Sequence, residues 1–112
     1  MHLKGTLNSL VLGVLEEGPK HGYWIAQEIK QRSEGVLDFR EGTLYPALHG
    51  LEAEGHVVAE ERMEKGRKRR YYRITPAGKR ALSKQRRDWE RLSRAVGVIL
   101  GGPWNPGETE TP

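Results

Sequence analysis

The chain has 112 residues, 36% of them hydrophobic and 30% charged, with a formal net charge of +4. That is one small domain's worth of sequence, with room for a limited core. There is no cysteine, which excludes a disulfide framework, a thiolate zinc site and thiol-based sensing, and no apolar run approaches the roughly 20 residues of a membrane span.

In residues 6–17, Leu7, Leu10, Val11, Val14 and Leu15 recur at helical spacing, and Gly18-Pro19 ends the pattern. Leu12 lies off that stripe, which implies a helix covered on two sides. A second helix is predicted from near His21 to about Arg32, with Trp24 or Ile25 inward together with Ile29. Ser33-Glu34-Gly35 breaks it, and residues 36–40 read as an extended connector. A third helix runs from Gly42-Thr43 to Glu54-Gly55, with Leu44, Ala47, Leu48 and Leu51 on one apolar face. Pro46 fits its first turn if Thr43 is the N-cap. Gly55 suits the left-handed stop.

Two strands follow, one beginning at Val57 and the other covering residues 70–74, joined by a hairpin tip around Gly66. Thr75-Pro76 is a strong helix start, and the last helix runs to Leu100, roughly 37 Å. Three helices, a hairpin and a long helix give the expected fold class. It is mainly α with a two-stranded wing: a winged helix-turn-helix over residues 1–75, a dimerisation helix over 76–100, and a disordered tail over 101–112.

The charge is unevenly spread. Residues 1–61 hold five Lys/Arg against ten Asp/Glu, whereas residues 62–94 hold fourteen against three. Within the hairpin, Lys65, Arg67, Lys68, Arg69, Arg70 and Arg73 place six cations in nine residues with no acid among them. Phosphate would neutralise such a tip and release condensed counterions. Nucleic acid is therefore the first partner expected, and an acidic membrane surface the second. On the third helix, Thr43 and Tyr45 can donate to phosphate and His49 can reach a base edge. Tyr45 equally suits a half-buried position against a neighbouring helix.

Residues 42–48 (Gly-Thr-Leu-Tyr-Pro-Ala-Leu), 51–55 (Leu-Glu-Ala-Glu-Gly) and 66–78 (Gly-Arg-Lys-Arg-Arg-Tyr-Tyr-Arg-Ile-Thr-Pro-Ala-Gly), with His21-Gly22-Tyr23 upstream, resemble the PadR family of bacterial transcriptional regulators. The resemblance covers about residues 5–100. It implies a winged-helix homodimer, usually a repressor, that binds double-stranded DNA. The DNA-contacting positions it implies are Tyr23, Thr43, Tyr45, Pro46, His49, Arg67 and Lys68. Gly50 departs from the basic residue common there, and Lys68 from a frequent proline. Residues 89–96 resemble the short-tailed branch of the family.

The last helix argues for a dimer independently. Leu82, Gln85, Trp89, Leu92, Val96 and Ile99 recur at heptad spacing, with one polar interruption. Leu82, Trp89, Leu92, Val96 and Ile99 are the expected dimer contacts. Two Trp89 indoles across a two-fold axis, with Leu12, form a candidate pocket for a planar aromatic effector.

Enzyme constellations are missing from the sequence. The four histidines form no His-x-x-x-His pair, and the glycine at 18 is followed by proline rather than a Walker lysine. No catalytic residue, metal site or cofactor is expected. Residues 1–6 lack a secretory signal pattern, so a cytoplasmic location without membrane association is expected. The reading is a homodimeric repressor of an inverted-repeat operator. The alternative is a winged-helix protein-interaction module without sequence-specific DNA binding.

Overall fold

The computed structural model describes residues 3–101. The element order is α1 (Leu3–Leu15), β1 (Lys20–His21), α2 (Gly22–Arg32), α3 (Glu41–Ala53), β2 (Val57–Glu64), β3 (Arg67–Ile74) and α4 (Pro76–Leu100). The fold class is as expected: mainly helical, with a small antiparallel sheet and a long C-terminal helix. The compact units are Met1–Leu82 and Ser83–Pro112, so the N-terminal part of α4 belongs with the winged helix. Most of the tail expected to be disordered, residues 102–112, lies outside the described residues.

The sheet has three strands, not two, in the order β1-β3-β2. β1 pairs antiparallel with β3, Lys20 opposite Tyr72 and His21 opposite Tyr71. His21 therefore closes a strand, and α2 starts one residue later. A two-residue strand straight after Gly18-Pro19 is too short to show a period of two in sequence. β2 and β3 pair from Val57 opposite Ile74 to Glu64 opposite Arg67. Their turn is Lys65-Gly66, with φ of 51° and 76°. Positive φ at both central residues is what a type I′ hairpin requires.

The core joins Leu7, Val11, Val14 and Leu15 of α1 to Ile25 and Ile29 of α2. Leu44, Ala47, Leu48 and Leu51 of α3 complete it with Val57, Tyr72, Ile74 and Leu82. Leu12 is 0% exposed, because α1 is covered by α2 and α3 and also by β3. The two-sided burial of α1 is thus observed. Leu12 is correspondingly sealed in the core and lines no effector pocket. Between the two inward candidates on α2, Ile25 is buried and Trp24 points to solvent.

The N-cap of α3 is Arg40, not Thr43, and it makes no side-chain cap bond. Thr43 sits inside the first turn, its amide donating to the Arg40 carbonyl at 3.0 Å. Pro46 is consequently deeper in the helix than expected. It has no N–H for the Gly42 carbonyl, which solvent can satisfy because Gly42 is exposed. At the other end, His56 N donates to Leu51 O at 2.9 Å and Gly55 N to Glu52 O at 3.0 Å. With φ of 78° at Gly55, this is the Schellman stop that the glycine implied. Thr75 caps α4 as expected, its Oγ1 accepting from Gly78 N at 3.0 Å.

Candidate nucleic-acid interface

Burying Leu44, Ala47, Leu48 and Leu51 turns the opposite face of α3 to solvent. Gly42, Thr43, Pro46, His49 and Gly50 are all exposed on it. A Cβ at Gly42 or Gly50 would meet nothing within 4 Å, so this face is open and low in profile. Tyr45 differs from its neighbours. It is half-buried, and a Cβ on Gly22 of α2 would lie 3.0 Å from its hydroxyl and 3.1 Å from Cε1. The ring thus packs over the first residue of α2, and burial pushes the Tyr45 hydroxyl pKa up. Tyr23, one residue further along α2, is exposed and meets Trp24 edge to face at 5.0 Å.

The wing is less bare than its own strand suggests. Pairing with β2 and packing beside α3 bring carboxylates to four of its six cations. Lys68 faces Glu61 at 3.9 Å, Arg69 faces Glu64 at 3.5 Å, Arg70 faces Glu52 at 3.3 Å and Arg73 faces Glu60 at 3.9 Å. These acids stand outside residues 65–73, three on β2 and one on α3, and reach the cations only when the hairpin closes and α3 packs against it. All four pairs are exposed or half-exposed, so each is weak and can be exchanged for phosphate. Among the described residues, Lys65 and Arg67 at the turn have no carboxylate ion-pair partner. They flank Gly66 at the tip.

Glu64 also accepts a short hydrogen bond from the Tyr71 hydroxyl, and that bond holds the phenol above its ordinary pKa. The Arg62 guanidinium lies 4.4 Å from the centre of the same ring. Tyr71 thereby ties the base of the wing tip together.

Of the seven DNA-contacting positions expected, Tyr23, Thr43, Pro46, His49, Arg67 and Lys68 are exposed, and Tyr45 is half-buried. Tyr23 and the wing tip share a cleft, through Lys65. Lys65 and Trp24 were not among those positions. For Lys65 the signal was present: Lys-Gly between two strands places it at the first central position of a tight turn.

On α4 the expected seam divides. Leu82 is 3% exposed and belongs to the core of its own chain. It is not a free contact residue, because the compact unit extends to Leu82. Trp89 is 50% and Ile99 82% exposed, with Leu92 and Val96 exposed between them. Among the described residues, no helix is long and apolar enough to cross a membrane, and no cluster of His, Asp and Glu could hold a metal ion.

The sequence profile of the Transcriptional regulator PadR-like family matches residues 11–84. Over 82 residues, 73% of this chain and 71% of the relative, the chain is 50% identical to Transcriptional regulator Rv3488 of Mycobacterium tuberculosis. Its fold is similar to that of a transcriptional regulator from Clostridium thermocellum, with a TM-score of 0.81, 28% identity and coverage of 88% of this chain and 93% of that one. It is also similar to a PadR family transcriptional regulator from Eggerthella lenta, with a TM-score of 0.75, 33% identity and coverage of 87% and 83%. The winged helix, with its basic hairpin and its open α3 face, is thus that of a member of the PadR family of transcriptional regulators.

Proposed function

We propose that the protein is a homodimeric, DNA-binding repressor that reads an inverted-repeat operator in the cytoplasm. The observation that carries this reading is the combination of an open, exposed α3 face with two cations at the wing tip that have no carboxylate partner among the described residues. Thr43, Pro46 and His49 enter the major groove, with His49 reading a base edge. Arg67, with Lys65 beside it, follows the phosphates. Lys68 joins them by exchanging its 3.9 Å contact with Glu61 for a phosphate oxygen. Tyr23 donates to the backbone from the start of α2. Tyr45, held against Gly22, presents only its outer edge.

The exposed stripe Trp89, Leu92, Val96 and Ile99 supports the homodimer, because one continuous apolar seam on a charged helix is covered most simply by its own copy. Two copies place two half-sites about one helical turn apart, or a multiple of it. The wing tips alone then supply about four phosphate contacts, and the slope of log K against log salt is steeper than about −3.

Footprinting on the promoter upstream of the protein's own gene and its neighbours tests the reading. Protection of an inverted repeat is expected. Arg67→Ala should weaken binding to every sequence, whereas His49→Ala should cost about 1 kcal/mol or more on the operator and less on random DNA. A single unrepeated half-site, or a salt slope near zero, defeats the proposal.

A further inference from the structure

Between the start of α2 and the wing tip lies an open cleft of about 700 Å³. Its size falls within the range of small-molecule sites, about 300–1,000 Å³. Aromatic rings make up much of its lining. His21 of β1 meets Tyr71 of β3 edge to face at 5.9 Å, and Tyr23 meets Trp24 in the same way at 5.0 Å. Trp24 is 57% exposed although its neighbour Ile25 is fully buried, so its indole is free to stack on a ligand.

The charge in the cleft is positive. Glu64 is engaged by the Tyr71 hydroxyl and by Arg69 at 3.5 Å. Lys65 has no ion-pair partner among the described residues, and Arg69, half-exposed, can exchange its 3.5 Å contact with Glu64 for a phosphate that its planar fork suits. A ligand that satisfies both features carries a flat ring and a phosphate on one small frame. Bases within a duplex are stacked and paired, and offering one to Trp24 would require flipping it out. A free nucleotide has no such cost.

We propose that this cleft is a binding site for a free mononucleotide, with the base stacked on Trp24 and the phosphate held by Lys65 and Arg69. The site shares Tyr23 and Lys65 with the DNA-facing surface, so bound nucleotide and duplex exclude one another. That consequence rests on the DNA-binding reading above; nucleotide binding itself does not. Nucleotide bound only to the DNA-free protein shifts the population away from the operator.

The test is an NMR titration of the ¹⁵N-labelled full chain without DNA, following the Trp24 indole resonance as assigned with Trp24→Phe. Adenosine and guanosine 5′-monophosphates are compared with their nucleosides, with inorganic phosphate and with a short duplex. A saturable Trp24 shift is expected with a nucleotide Kd below about 1 mM, and nucleoside and phosphate each about ten-fold weaker. Lys65→Gln and Arg69→Gln should each weaken the nucleotide without altering the resonances of the core.

The proposal is overturned if no nucleotide moves Trp24, or if nucleoside and nucleotide bind equally. It is also overturned if only the duplex moves Trp24, which would assign the cleft to the DNA path. Competition is read separately, by nucleotide displacement of an operator duplex. Nucleotide that binds yet leaves duplex affinity unchanged keeps the site and removes its effect on DNA.

Discussion

Arg70 of β3 donates to both carboxylate oxygens of Glu52 on α3, at 3.4 and 3.3 Å, and through Nε to the hydroxyl of the buried Tyr72 at 3.2 Å. The wing is thereby tied to the helix proposed to enter the major groove, and a cation that could reach phosphate is occupied by an acid. Glu52→Gln should free that guanidinium while Tyr72 continues to position it. Tighter duplex binding at low salt is expected, with the salt slope steeper by about 1 per protomer. Fluorescence anisotropy across a salt series checks this, and an unchanged slope would show that Arg70 does not reach the DNA.

Gly78 is needed for packing rather than for its backbone angles. A Cβ there would lie 2.1 Å from the His56 carbonyl oxygen and 2.8 Å from Ile74 Cγ1. That carbonyl already accepts from Thr75 N at 3.1 Å, so it cannot retreat without breaking the end of the sheet. In an open helix, Gly→Ala gains about 1 kcal/mol. Here Gly78→Ala should destabilise by about 1–3 kcal/mol, as overpacking does. Urea unfolding measures the sign, and a stabilised variant would mean that α4 can shift away from β2.

The α4 seam is tested by Leu92→Asp combined with Val96→Asp. Charges on facing helices of a dry seam cannot be neutralised there. The double variant should sediment as a monomer, keep the helical spectrum of the winged domain and lose tight operator binding. An intact dimer would move the interface elsewhere.

Glu28 lies within reach of Arg32, whose Nε donates to it at 3.0 Å, and of Lys20, whose Nζ is 3.6 Å away. Arg32 also reaches Glu17 at 2.6 Å, which joins the end of α1, β1 and α2. The Arg32 hydrogen bond holds the Glu28 pKa below its ordinary value. A depressed carboxylate stabilises the fold above the unfolded pKa of about 4.3 and loses that contribution as pH falls through the folded value. Glu28→Gln should therefore lower the melting temperature slightly at neutral pH, with the difference closing in acid. A difference that persisted below about pH 3 would assign the effect to packing instead.

Local chemistry made much of the architecture legible from sequence. Gly55 announced the Schellman stop of α3, Thr75-Pro76 the start of α4, and the spacing of Leu44, Leu48 and Leu51 which face of α3 would be outside. Each depends on residues within about one helical turn of one another. The motifs at 42–48 and 66–78 carried the family resemblance for the same reason. Arg40 rather than Thr43 begins α3, a shift of three residues that no side-chain cap bond marks. Leu82 fits the heptad spacing of α4, but the core claims it through neighbours distant in sequence.

The sequence by itself determined the order of the four helices and the hairpin, most of the buried faces, the basic charge of the hairpin and the family, because period, caps and turn residues act over a few positions. Tertiary structure alone decided which charges are free. Glu52, Glu60, Glu61 and Glu64 meet Arg70, Arg73, Lys68 and Arg69 only once strands pair and α3 packs beside them. It also buried Leu12, added β1 to the wing and gathered Trp24, Tyr71 and Lys65 around one cleft. Charge neutralisation and cleft formation depend on distance in space, and the chain encodes that distance only through the packing of the whole domain.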